Sequence, residues 1–181
     1  MRKRRKLLRA LAEAGDAKRW EAAVALVDLC DARTVDALEG MLEDEGDDGP
    51  RAAAAYVLGF SGGSDVSEVL AGRLGDADES PVVRAHAAEA LGHLLQHEPV
   101  LARIRTTIVS SLGDPEPVVR FWSAFAAGVL DLQESRPRLE RLLGDEASVE
   151  GWWTVGEEAG WALRCLDGED DPPLPRAVPG A

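Results

Sequence analysis

Cysteine is almost missing from this chain: Cys30 and Cys165 are the two in 181 residues. That is too few for a disulfide scaffold or a four-ligand zinc site, and it fits a reducing compartment. Long apolar runs are missing too, and nothing approaches the roughly 18 residues that a membrane span needs. The opening MRKRRKLLRALAEAG has the basic start of a signal peptide, but Arg9 interrupts an apolar core already reduced to LLRALA, so a cytoplasmic protein is expected. Basic charge is also short. The formal net charge is −13, and the bulk is more acidic than that, because residues 1–20 hold eight of the 20 Lys and Arg and carry net +6. The other 161 residues carry net −19, a body that repels phosphates, so nucleic-acid binding is not expected. No stretch alternates apolar with polar residues as a half-buried strand does, so no sheet is expected.

What the sequence does hold is a repeat. PRAAAAYVLGF (50–60), PVVRAHAAEALGH (81–93) and PVVRFWSAFAAGV (117–129) align so that Arg51, Arg84 and Arg120 share a register with Gly59, Gly92 and Gly128. The frame extends backwards to Arg19 and forwards to Gly156, giving about five units. Each unit reads as two helices. The first carries apolar residues at three- and four-residue steps, as in ARTVDALEGMLED, and the second starts after an acidic turn with proline in its first turn (Pro50, Pro81, Pro117). The second helices are alanine-rich, which lets neighbours approach closely. A helix pair of this size cannot bury its apolar face alone, so stacking is required. The fold class is therefore all-α, a solenoid domain over 1–167, followed by a Pro- and acid-rich tail over 168–181 expected to be disordered.

An acid stands six residues before each arginine: Glu13 and Arg19, Glu45 and Arg51, Asp78 and Arg84, Asp114 and Arg120. These read as a structural ladder of caps and ion pairs, within a unit or between neighbours.

LGDADESPVVRAHAAEALG and LGDPEPVVRFWSAFAAG resemble HEAT repeats of the short bacterial and archaeal type, also called phycobilisome-lyase HEAT-like, over roughly residues 1–166. The resemblance implies a right-handed α-solenoid with the second helices on the concave face, and it implies little about activity. One metalloenzyme group of this family, deoxyhypusine hydroxylase, sets His-Glu after the corresponding arginine to ligate two irons. Here those positions read Ala52-Ala53, Ala85-His86 and Phe121-Trp122, so no metal is expected. A weaker metal candidate, Glu89, His93 and His97 at steps of four, lacks the glutamate that a zincin places directly after its first histidine.

If the second helices line the concave face, positions one, two, five and nine after each arginine share a stripe. Seven of the nine aromatic residues fall there: Trp20, Tyr56, Phe60, Phe121, Trp122, Phe125 and Trp161. Polar members include His86, Glu89, Glu157 and Glu158. Aromatics rimmed by acids suit a protein or peptide partner, a basic one matching the charge, because rigid rings give contact area for little entropy. The expected function is a non-catalytic interaction module, an adaptor or scaffold, with no enzyme activity and no cofactor. Two alternatives stay open: an accessory lyase-type protein cradling a chromophore or prosthetic group in the same concavity, and an acidic immunity or regulatory protein neutralising a basic partner. Trp152 and Trp153, off the stripe, are expected to cap the end of the stack.

Overall fold

The computed structural model describes residues 2–44, 46–169 and 172–175. Among the described residues the chain forms ten α-helices: α1 (Arg2–Glu13), α2 (Asp16–Val27), α3 (Ala32–Glu43), α4 (Asp48–Ser61), α5 (Ser67–Gly75), α6 (Pro81–Leu94), α7 (Ala102–Ser111), α8 (Pro117–Val129), α9 (Arg136–Leu142) and α10 (Val155–Leu166). The only β feature among them is a single antiparallel bridge between Ser148 and Thr154. None of these helices is long and apolar enough to cross a membrane.

The helix boundaries follow local chemistry. Asp31 caps α3 by accepting from the Thr34 amide, and Asp47 caps α4 by accepting from Gly49. Pro81 and Pro117 open α6 and α8, where a missing N–H costs nothing. Thr154 and Glu157 form a reciprocal capping box at the start of α10.

The even-numbered helices form one layer, each packed on the next, from α2 through α4, α6 and α8 to α10. The odd-numbered helices form the other layer and are spaced more widely, α3 and α5 barely touching. Unequal spacing bends the stack towards the even-numbered side, so that layer is the inner one. Its close spacing has a specific cause. A Cβ at Gly59 would sit 2.5 Å from the Ala90 Cα, one at Gly92 3.3 Å from the Ala126 Cα, and one at Gly128 2.8 Å from the Ala162 Cα. At three successive joints a glycine therefore meets an alanine backbone of the next helix, and the missing methyl is what permits the approach.

Gly59→Ala tests this seam. In an open helix the change gains about 1 kcal/mol of helix propensity. At residue 59 the new methyl meets main chain, so overpacking outweighs that gain and the expected result is a net loss of about 2 kcal/mol in urea unfolding. Gly72→Ala on α5, with nothing within 4 Å of the added methyl, should be neutral or stabilising.

The arginines lock the same joints. Arg19 pairs with Asp16 at 2.5 Å and reaches Asp47 of the next unit at 3.5 Å. Arg51 pairs with Glu79 at 2.8 Å, Arg84 with Asp114 at 3.0 Å and Arg120 with Asp145 at 2.7 Å. Three of them also donate to carbonyls of the turn before their own helix: Arg51 to Asp44 and Gly46, Arg84 to Glu79, and Arg120 to Asp114 and Pro115. Of the two arrangements expected for the ladder, within a unit or between neighbours, the ion pairs of Arg51, Arg84 and Arg120 run between neighbours. Glu13 holds Arg9, and the Asp78 amide donates to Asp76 while its side chain stays out of the ladder. Asp114 serves Arg84 with its carboxylate and Arg120 with its carbonyl. Glu45 lies outside the described residues. The physical reason is reach: the turn folds back under its own arginine and offers carbonyls, leaving the guanidinium edge to face the following turn.

Candidate functional site

The inner layer carries an unbroken path of rings. Trp20 on α2 meets Tyr56 on α4 edge-on at 5.6 Å and His86 on α6 at 5.0 Å. Tyr56 leads to Phe60 at 4.9 Å, Phe60 to His93 at 4.3 Å, and His93 to Phe125 on α8 at 5.0 Å. Phe125 then stacks on Trp161 of α10 at 6.0 Å and contacts Trp122 at 5.5 Å. Trp122, Phe121, Trp152 and Trp153 close a second cluster with centroid distances of 5.1 to 6.0 Å.

Accessibility divides the expected stripe. Phe60 is 43% exposed and Glu157 is exposed, while Trp20, Tyr56, His86 and Phe125 are half-buried. The other five are corrected as free contacts: Phe121, Trp122, Glu89, Glu158 and Trp161 are buried. Phe121 stands one residue after Arg120, about 100° round the helix from Trp122, and faces the loop before α10 instead of the groove. Trp122 is covered by Trp152, which is itself 38% exposed. Glu89 turns back to hold the His86 Nδ1 at 2.7 Å. Glu158 accepts from the Trp153 indole N–H at 2.6 Å beneath the α10 entry loop, and burial pushes its carboxyl up to about 7. Trp161 donates from its indole to the Pro172 carbonyl.

Trp152 was not on the stripe by spacing, and no periodic signal marks it, because the loop that carries it is irregular. Of the tail, residues 172–175 lie against α10, and residues 170, 171 and 176–181 lie outside the described residues.

Electrostatics within the groove are mild. Burial holds the His93 imidazole below its ordinary range, favouring the neutral ring, and burial with the Glu89 charge raises the Tyr56 phenol. Cys165, on the same cleft of about 530 Å³ as His93, Phe125 and Trp161, is pushed up to about 11 by burial, which makes it a poor thiolate nucleophile. Among the described residues no three His, Cys, Asp or Glu side chains converge closely enough to hold a metal ion. The weak candidate set is split: Glu89 is engaged with His86, His93 lies between Phe60 and Phe125, and His97 is exposed.

Known proteins place this architecture. Deoxyhypusine hydroxylase-B of Oryza sativa subsp. japonica is 32% identical over 100 residues, covering 55% of this chain and 32% of the hydroxylase, so the chain spans about a third of that relative. The human deoxyhypusine hydroxylase structure, in complex with glycerol, aligns over 71% of this chain and 43% of that one at 27% identity and a TM-score of 0.54. A chain of the CpcE and CpcF complex of phycocyanin lyase from Nostoc sp. PCC7120 covers 88% of this chain and 97% of its own at a TM-score of 0.69, with 21% identity. The last is a likeness of fold. At the positions where the resemblance would call for His-Glu pairs, this chain has buried Ala52, Ala53, Ala85, Phe121 and Trp122, with His86 turned to Glu89. The HEAT-repeat family model matches residues 4–92 and again 76–164, nearly the whole solenoid. The chain belongs to the HEAT-repeat family.

Proposed function

We propose that this HEAT-repeat scaffold is a non-catalytic interaction module that holds a protein or peptide in its inner groove. The reading rests on one observation: the ring path from Trp20 through Tyr56, His86 and Phe60 to Phe125 runs across four successive inner helices and keeps an accessible edge. A hydrophobic centre with a polar rim is the anatomy of a binding patch. Exposed Glu21, Asp131 and Glu157 border the groove and give a basic partner a favourable approach. Glu158 and Glu89 serve the fold, so the acidic rim is thinner than the stripe arithmetic gives.

Photo-crosslinking tests it. With p-benzoylphenylalanine at residue 60 in the inner groove or at residue 143 on the outer layer, a partner should be captured from native lysate only at residue 60. The purified partner should then lose at least tenfold in affinity for the Tyr56→Ala/Phe60→Ala chain, about 1.4 kcal/mol. Capture only at residue 143, or unchanged affinity of the double variant, would refute the groove.

A further inference from the structure

The described part of the tail, residues 172–175, seats on α10 beside the groove. Gly168 takes a left-handed φ of +79°, its amide donates to the Cys165 carbonyl and that of Glu169 to Arg164, so the chain reverses at the end of α10. Residues 172–175 then lie along the helix they came from. The Trp161 indole N–H donates to the Pro172 carbonyl at 3.0 Å, and the Arg164 guanidinium donates to the Pro173 carbonyl at 2.7 Å. Pro172 is buried and helps to line the cleft that holds His93, Phe125 and Cys165. Gly160, Trp161 and Arg164 floor a neighbouring cleft of about 450 Å³ whose opposite wall is Pro173, Leu174 and Pro175.

Proline explains why this contact is selective. It has no N–H, and the extended polyproline conformation makes no internal hydrogen bonds, so its carbonyls stand free for outside donors. Its fixed φ also means that little conformational entropy is lost on docking. An aromatic wall with an indole donor aimed at such a carbonyl is a general way to read proline-rich segments. α10 supplies both parts, with Arg164 one helical step along from Trp161 so that two adjacent carbonyls are met at once.

We infer that the Trp161 and Arg164 edge of α10 is a recognition site for proline-rich extended segments, and that residues 172–175 are its intramolecular occupant. The inference rests on the groove reading above and names the partner class for its C-terminal end. An incoming segment displaces the tail. Because a tethered segment acts at an effective concentration in the millimolar range, the tail raises the affinity that a partner needs and excludes weak proline-rich competitors.

The test uses the full chain and a defined peptide. The indole N–H resonance of Trp161 is assigned by its loss in Trp161→Phe. In the Pro172→Gly/Pro173→Gly/Pro175→Gly chain this resonance should move from its wild-type position, and a synthetic peptide with the sequence of residues 169–175 should return it saturably. The same peptide with glycine for each proline should bind at least tenfold more weakly. The wild-type chain should need at least tenfold more peptide than the triple-glycine chain. Trp161→Phe in the triple-glycine background keeps the ring and drops the donor, and peptide affinity followed at the Arg164 side chain should fall by about three- to tenfold. No response of the triple-glycine chain to the peptide, or equal binding of the glycine peptide, would overturn the inference. Either failure concerns α10 alone and is distinct from failure of crosslinking at residue 60, which reads the α4 end of the groove.

Discussion

Phe121→Ala should lower unfolding stability by about 4 kcal/mol, the range expected when a large aromatic is deleted from a packed core. Phe121 is 1% exposed, and its ring lies between Trp122 on its own helix and the Trp152 and Trp153 pair in the loop before α10. That loop has almost no regular structure and is held to α8 by these rings and to α10 by the Trp153 bond to Glu158. Removing Phe121 leaves a cavity and frees the loop together. Urea titration followed by tryptophan fluorescence should show both a lower midpoint and a red-shifted native baseline. Phe60→Ala, at an exposed position, should cost less than about 1 kcal/mol. Equal losses at the two sites would mean that the two aromatic clusters are packed alike.

Stability should also fall as pH rises through neutrality, with Glu158 as the cause. Its carboxyl titrates at about 7 in the fold against an ordinary 4.5. Between those values the native state keeps a proton that the unfolded chain releases, so native stability is highest below 4.5 for this group and declines to a plateau above 7. The full difference is about 3 kcal/mol. Glu158→Gln keeps an acceptor for the Trp153 indole and carries no charge. The variant should match the wild type near pH 5 to within about 1 kcal/mol and exceed it by about 3 kcal/mol at pH 8, measured as paired urea unfolding curves. A constant difference across that range would show that Glu158 is ionised in the fold at pH 5.

Repetition made the fold legible. The arginine, alanine and glycine register marks five helix pairs, and small residues at fixed phase announce close helix approach. The groove was less legible because position along a helix fixes direction only to within a residue. Positions one, two, five and nine span about 100° of the helix, and which of them reaches the groove differs between units: position one is the half-buried Trp20 and the exposed Glu157, but also the buried Ala52, Ala85 and Phe121. Glu158 obeyed the spacing and was lost to the groove through a partner, Trp153, that only the folded loop supplies. The ladder's exact partners were hidden for a related reason. Aligning units compares each arginine with its own turn, while the carboxylates it binds lie 25 to 30 residues further on. The tail has no periodicity at all, and its seat on α10 depends on two donors that an apolar pattern cannot reveal.

Those carboxylates give the chain a modular syntax. Every joint is written in two halves, a guanidinium in one unit and an acid in the turn of the following unit. The units carrying Arg51, Arg84 and Arg120 possess both halves, the acid to receive and the guanidinium to give, whereas the unit around Gly156 possesses the receiving half, Asp145. A duplicated internal unit would therefore arrive with matching ends on both sides and splice into the stack without any compensating substitution. Growth and loss of whole units by recombination is thus chemically silent at the joints, and diversification is free to concentrate on the groove.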